Sequence, residues 1–437
     1  MLKDKFLLPV IALLSISACS SNNVITNSDN SVDSFINSNP ITEDHRLNHP
    51  NKAFNSAHQT LDEGYVSSVK SFSLDYYSAV ADDKNSIFSP LSIATCYSML
   101  LEGALGNSKT ELENMLHYDG SFNHLTEIKK MLLNNALTDA DTELYLDLTQ
   151  SMWIDDDFKD RISKSYVEKL EEYYYAEAFG GRLSSDEMHG YLADYINEKT
   201  RGFLDVKKET FKEYAGILWL LNTIYLKAQW VNAFEETMNS QSYFHNLDGK
   251  NNMVTFMNIT QGSSYYKADN YMISSIPLKG NMNFTVLLPN EGLDYHKVLT
   301  DKTAVGDLIE YYNKRNHMPA DIQYMVPQFK AQTSYELPDV LPALGVNDIF
   351  DEDRANLLGL ADVPAKGNMF VKRSRHEAGI EVGNKGLEAA AYTIIEVDEK
   401  AAAPSLNKVK FIMDRPFSYV ISSRDGLPLF MGTVNNL

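Results

Sequence analysis

One run constrains this chain more than any other: Gly216-Ile217-Leu218-Trp219-Leu220-Leu221-Asn222-Thr223-Ile224-Tyr225-Leu226 is almost continuously apolar. At that length it reads as a strand buried on both faces, so it needs cover above and below. Other strand signals come mostly later. Met282, Phe284, Val286 and Leu288 alternate with their neighbours, as do Ile322, Tyr324 and Val326. Three short strands are expected at the carboxyl end, over residues 408–413, 417–422 and 428–434. Leu144, Leu146 and Leu148 mark an earlier, half-buried strand.

Helix signals come mostly first. Residues 66–80 have helical spacing. Ser89-Pro90 opens a second helix, with Ser as cap and Pro at the first position, and Leu91, Ala94, Cys96, Met99 and Leu100 lie along it. Ser108-Lys109-Thr110-Glu111 matches a capping box and predicts a third helix. Residues 186–199 predict another. Helices early and strands late give an α+β class, read as one domain over residues 63–437.

The amino terminus has its own pattern. Lys3 and Lys5 precede an apolar stretch from Phe6 to Leu14, and Ser15-Ile16-Ser17-Ala18 leads into Cys19. Residues 1–18 therefore read as an export signal. Small residues before a cysteine resemble the bacterial lipobox, which implies lipidation of Cys19. Two or three acyl chains would anchor it to a membrane at the cell envelope, with the outer membrane or cell surface favoured over the cytoplasmic membrane. Residues 19–62 are rich in Ser, Asn, Asp and Thr and predict a flexible tether.

Charge narrows the partners. The 437 residues carry a formal net charge of −20, which argues against nucleic acid or a heparin-like polyanion. Two cysteines, Cys19 and Cys96, exclude a disulfide framework, and Cys96 reads as a buried inert thiol. Motif chemistry is missing. No Gly-x-Ser-x-Gly, His-Glu-x-x-His, Cys-x-x-Cys or phosphate-cradling glycine loop occurs, and His376-Glu377 lacks a second histidine four residues on. No metal, cofactor or enzymatic activity is expected.

The informative segment is Glu381-Val382-Gly383-Asn384-Lys385-Gly386-Leu387-Glu388-Ala389-Ala390-Ala391-Tyr392-Thr393-Ile394-Ile395-Glu396-Val397. Leu387, Ala389, Ala391, Thr393, Ile395 and Val397 share one face of an extended chain. Asp398 to Asn407 then reads as an exposed, cleavable loop. The run from His376 to Val382, followed by Gly386-x-Glu388-Ala389-Ala390-Ala391, resembles the strand, hinge and small-residue run of the serpins, the serine-protease-inhibitor superfamily. Residues 85–93, Gly103-Ala104-x-Gly106, Asn197 with Thr200-Arg201-Gly202, residues 222–230 with Phe234, Arg415-Pro416-Phe417, and Leu429 to Gly432 resemble further serpin motifs in their family order.

The resemblance implies helices packed on a large mixed central sheet, with smaller sheets and an exposed reactive-centre loop over residues 386–407. It implies a monomeric suicide substrate of serine proteases. The target cuts the loop, stays esterified to it, and is carried across the molecule as the loop inserts into the central sheet. Gly386, Leu387, Glu388, Ala389, Ala390, Ala391 and Thr393 correspond to the hinge. Family spacing puts the cut between Lys400 and Ala401, suited to a trypsin-like protease. A shift to Ala401 or Ala402 would suit an elastase-like one, and cysteine proteases remain open as targets. Ser89, Ser92, Asn222 and His376 match the polar shutter under the sheet, and Trp230 matches the breach where the loop enters. Leu387, the pair Asn384-Lys385, and Glu377 depart from the usual pattern. A serpin that is cut without trapping, acting as a binding module, is the alternative.

Overall fold

The computed structural model describes residues 8–17, 45–362, 368–387 and 407–437. In chain order its strands are β1 (Leu8–Ser17), β2 (Ser86–Phe88), β3 (Leu137–Asp139), β4 (Leu144–Asp155), β5 (Glu177–Gly181), β6 (Leu218–Gln229), β7 (Ser240–His245), β8 (Asn251–Lys267) and β9 (Tyr271–Leu278). They continue with β10 (Met282–Pro289), β11 (Met318–Pro327), β12 (Phe329–Glu336), β13 (Phe370–Val382), β14 (Gly386–Leu387), β15 (Lys408–Ile412), β16 (Phe417–Ser422) and β17 (Pro428–Val434). The helices are α1 (Glu63–Val80), α2 (Pro90–Leu101), α3 (Gly106–Met115), α4 (His124–Asn134), α5 (Lys164–Tyr174), α6 (Asp186–Lys199), α7 (Tyr295–Leu299), α8 (Lys302–Ile309) and α9 (Leu337–Val340).

Two sheets hold the molecule together. The first runs β12-β13-β1-β6-β4-β3, with β5 on β4 and β14 on β6. The second runs β15-β11-β8-β9-β10-β16-β17-β2, with β7 on β8, so the smaller sheets expected from sequence run together as one nine-stranded sheet. The apolar run at 218–226 became β6, buried along nearly its whole length and paired antiparallel with β4. Its residues divide between two cores. Leu218, Leu220, Ile224 and Leu226 join the main core, which includes α2. Trp219 and Leu221 pack with Trp153 beneath α6, through Met188, Leu192, Tyr195 and Ile196. A strand with cover on both faces is thus explained by α2 below and α6 above.

Helix starts follow local chemistry where a short polar side chain is available. The Ser89 hydroxyl accepts the Ser92 N–H at 3.1 Å and caps α2, with Pro90 next. Ser185 caps α6 in the same way at 3.2 Å. The predicted capping box at Ser108 is corrected. The helix α3 begins earlier, at Gly106, and Ser108 lies fully buried within it. The Ser108 hydroxyl accepts the Asn356 N–H, and the Glu111 carboxylate accepts the Asn347 and Asp348 N–H groups. Both side chains tie α3 to a distant segment instead of closing the helix on itself.

The tether boundary is corrected as well. Residues 45–62 lie along the body. Leu47 N–H donates to the Ala178 carbonyl at 2.8 Å, and Asn48 bonds both the Ala176 carbonyl and the Ala178 N–H. Lys52 pairs with Asp147 at 2.7 Å, Asn55 N–H donates to the Ala136 carbonyl, and His58 meets Asp425 at 2.6 Å. This strap is held by polar bonds to strand edges and helix ends, so its scarcity of apolar residues hid it.

Residues 8–17, within the stretch read as an export signal, form strand β1 between β6 and β13, antiparallel to both. Ala12, Leu13 and Leu14 are fully buried there. Ala12 and Leu14 face the main core, and Leu13 faces the cluster under α6. Alternation suits the slot because both faces of the sheet are covered.

Candidate functional site

At one end of the slot, β13 turns back on itself. Gly383 and Gly386 exchange backbone hydrogen bonds at 3.1 Å, and β14 then runs antiparallel along β6, with Gly386 opposite Gln229 and Leu387 opposite Ala228. Gly386 has φ +140°, and a Cβ there would lie 2.3 Å from the Ala228 carbonyl oxygen. Only glycine fits the turn and the approach together. Leu387, noted as unusually bulky, is 1% exposed, so the first inward position is filled by a large apolar group.

Trp230 closes this end. Its backbone N–H donates to the Lys385 carbonyl at 3.1 Å and its indole N–H to the Gly383 carbonyl at 2.9 Å. Its ring packs edge-on against Phe234 and Phe284. Asn384 sits beside it, nearly buried. Its amide exchanges hydrogen bonds with that of Asn239, donates to the Phe234 carbonyl at 3.0 Å and accepts from Gln328 at 2.6 Å. An amide serves here because the pocket needs donors and acceptors together, which a carboxylate does not supply.

Midway along the slot lies a buried polar cluster. Ser89 N–H donates to His376 Nε2 at 3.0 Å, and the Ser92 hydroxyl donates to Asn222 Oδ1 at 2.5 Å. Ser89, Ser92, Asn222 and His376 are all fully buried. Because Nε2 accepts, a neutral His376 carries its proton on Nδ1. Ala12 of β1 pairs with Asn222 on one side and His376 on the other, so β1 separates the two halves of the cluster. The Cys96 thiol lies below, 3.4 Å from the Ala12 carbonyl oxygen. Burial pushes its pKa up, which keeps it protonated and inert.

A strand that ends in a tight hinge, a slot between β6 and β13 filled by β1, and a polar cluster beneath it form one arrangement. A sequence profile of the family "Serpin (serine protease inhibitor)" matches residues 67–437. The chain belongs to the serpin family. Serpins are protease inhibitors and not catalytic enzymes. The chain is 28% identical over 390 residues to serpin A3-1 of Bos taurus, covering 85% of this chain and 89% of that protein. It is 29% identical over 380 residues to alpha-1-antiproteinase 2 of Equus caballus, covering 83% and 85%. Its fold resembles that of tengpin, a thermophilic serpin, in the native state. The TM-score is 0.73 at 23% identity, covering 90% of this chain and 100% of that one.

Against this serpin frame, Ser89, Ser92, Asn222 and His376 gather in one cluster, and Trp230, Gly386 and Leu387 meet at one end of the slot. Glu388, Ala389, Ala390, Ala391, Thr393, Lys400 and Ala401 lie outside the described residues, as does Cys19. Sequence reasoning missed Asn239 and Gln328, which are ordinary amides in sequence. It noted Asn384 only as a departure. That departure was the available signal, since an amide replacing a charge at a buried turn calls for a partner. It also missed Ser374, fully buried, whose hydroxyl accepts from Tyr97 at 2.8 Å and extends the cluster along β13. Among the described residues no group of three or more His, Cys, Asp or Glu is placed to hold a metal ion.

Proposed function

We propose that this serpin is a suicide-substrate inhibitor of trypsin-like serine proteases, cut between Lys400 and Ala401. The observation that carries the reading is the seat of the hinge. Gly386 and Leu387 already lie on β6 at the mouth of a slot that takes a strand antiparallel to β6 and β13. A loop continuing from Leu387 therefore runs into the sheet without reversing direction.

The chemistry belongs to the target. Its serine oxygen attacks the Lys400 carbonyl carbon, the bond to the Ala401 nitrogen breaks, and the serine proton passes through the protease's base to the departing amine. The released segment from Gly386 to Lys400 is fifteen residues, which as a strand spans about 50 Å. Inserting it carries the ester away from the site of attack. The small residues Ala389 to Ala391 pass first, and Ile394, Ile395 and Val397 favour the extended state once seated.

The protein acts as a monomer, held at the bacterial cell envelope through lipidated Cys19, with the ordered strap from residue 45 onward joining anchor and body. Intact-mass measurement after incubation with a trypsin-like protease tests both trapping and the cut. A covalent complex, with Ala401 starting the released peptide, is expected. A release at Ala402 or Ala403 moves the cut to Ala401 or Ala402 and the target class to elastase-like proteases. A nicked chain with full protease activity remaining, obtained with protein that lacks residues 1–18, overturns the inhibitory reading.

A further inference from the structure

The register of the hinge fixes where an inserted loop would lie. Gly386 opposite Gln229 and Leu387 opposite Ala228, continued without a bulge, put Ala389 opposite Leu226, Ala391 opposite Ile224, Thr393 opposite Asn222, Ile395 opposite Leu220 and Val397 opposite Leu218. Those five places on β6 are already taken. Leu8, Val10, Ala12, Leu14 and Ile16 pair with the same five residues in the same order. On the other side β1 pairs with β13 from Val10 opposite Ala378 to Ser17 opposite Phe370. Only Lys227 separates the last hinge contact from the first β1 contact along β6.

Chemistry matches position as well. Ala12 holds the place of Thr393 beside Asn222, and Leu14 holds the place of Ile395, both in the main core. Leu13 holds the place of Ile394 and packs with Trp153, Trp219 and Leu221 under α6. Two segments of one chain thus suit one site, and the sheet has room for one of them.

We infer that the amino-terminal segment Leu8–Ser17 is an internal stand-in for the reactive loop, so the chain that retains it cannot complete insertion and is cut without trapping. Removal of residues 1–18 arms the inhibitor. The consequence is a compartment lock: chain that folds before export is inert toward proteases where it was made. This rests on the inhibitory reading above. Occupancy competes directly with insertion, because a site filled by one strand is withdrawn from the other.

The test compares two full-length chains, 1–437, produced without export. One is unaltered and one carries Leu13→Asp with Leu14→Asp, which puts a carboxylate into each of the two covering layers. With a trypsin-like protease, the unaltered chain should be nicked with protease activity retained. The variant should raise the SDS-stable complex at least about tenfold, the population change that losing such an occupant produces. Equal trapping by both overturns the inference and leaves the inhibitory reading standing. Hydrogen exchange reads docking independently, and slow amide exchange over Leu8–Ser17 in the unaltered chain is required. Fast exchange there overturns the inference whatever the trapping result. Should neither chain trap, the inhibitory reading fails alone, and hydrogen exchange together with the Tm change on loop cleavage still decide whether Leu8–Ser17 fills the slot. Loop cleavage should raise the Tm of the variant and leave that of the unaltered chain unchanged. A rise in both overturns it.

Discussion

The two sheets treat buried polar groups in opposite ways. Against the second sheet, the Tyr77 hydroxyl of α1 meets the Leu299 carbonyl at 3.0 Å, Ser418 at 2.7 Å and Thr433 at 2.8 Å, and Ser418 and Thr433 also meet each other. Around it Phe284 stacks on Tyr419, and Phe244 and Phe417 pack edge to face. In the first sheet, beside the slot, the Asn222 amide nitrogen and both amide atoms of Gln150 have no hydrogen-bond partner among the described residues. Asn222 and Gln150 are paired across β6 and β4, so the shortfall sits at one spot. A satisfied network resists rearrangement, whereas an under-satisfied one loses little when strands part. On the proposed mechanism the second sheet is the frame, and the first is the part that opens.

The largest effect should come from blocking the opening part directly. Ala389→Arg places a cation at the second inward position of the hinge, which must enter a covered sheet interior. Armed protein, with residues 1–18 removed, should change from inhibitor to substrate, and the SDS-stable complex should fall by roughly tenfold or more, a shift of about 1.4 kcal/mol or above. Undiminished complex would mean that Ala389 faces outward and that the hinge register does not continue past Leu387.

How much of this the chain announces depends on which force holds each part. The strand β6, the helix from Asp186 to Lys199 and the last two strands were legible because burial and capping leave periodic marks in sequence. The gathering of Ser89, Ser92, Asn222 and His376, and the place of Trp230 beside the Gly383–Gly386 turn, follow the motif resemblance that named them. The strap at 45–62 was not legible, because it is fixed by polar bonds such as Asn48 to Ala176 and Ala178, and those leave no period. Ser108 misled because its hydroxyl serves Asn356, a partner far away in sequence. Leu8–Ser17 reads as an export signal on its own. Its match to the loop's face shows only when both are laid against β6.

A smaller effect separates frame from opening part through paired variants. Tyr77→Phe removes the centre of the satisfied network and should cost about 1–3 kcal/mol in denaturant unfolding, because Ser418, Thr433 and the Leu299 carbonyl lose a buried partner. Gln150→Met replaces two unpartnered amide atoms with an apolar chain of similar shape, and should be neutral or stabilising by about 1 kcal/mol. The same variant should slow trapping, since the closed sheet then loses more on parting. Destabilisation by both would erase the distinction between the sheets.

The smallest effect concerns α6, which covers the outer face of the slot. His189 on this helix is buried, stacks on Trp219 and bonds the Tyr214 carbonyl at 3.2 Å through Nε2. Burial holds its pKa below the ordinary value of 6.5. The Tyr214 carbonyl and Asp186 pull it back up, and Lys208 pushes it further down. A base with a lowered folded pKa binds its proton more readily when unfolded. Its contribution to stability is therefore complete above about pH 6.5 and is lost as pH falls through the folded pKa. Protonation forces a charge against the Trp219 face, so α6 should loosen before the second sheet does. Hydrogen exchange between pH 7.5 and 5.5 should show amides of α6 speeding up relative to those of β16 and β17. His189→Gln should flatten that dependence, because Gln keeps a donor for the Tyr214 carbonyl and cannot take a proton. An equal slope in both proteins would overturn the assignment of the acid sensitivity to His189.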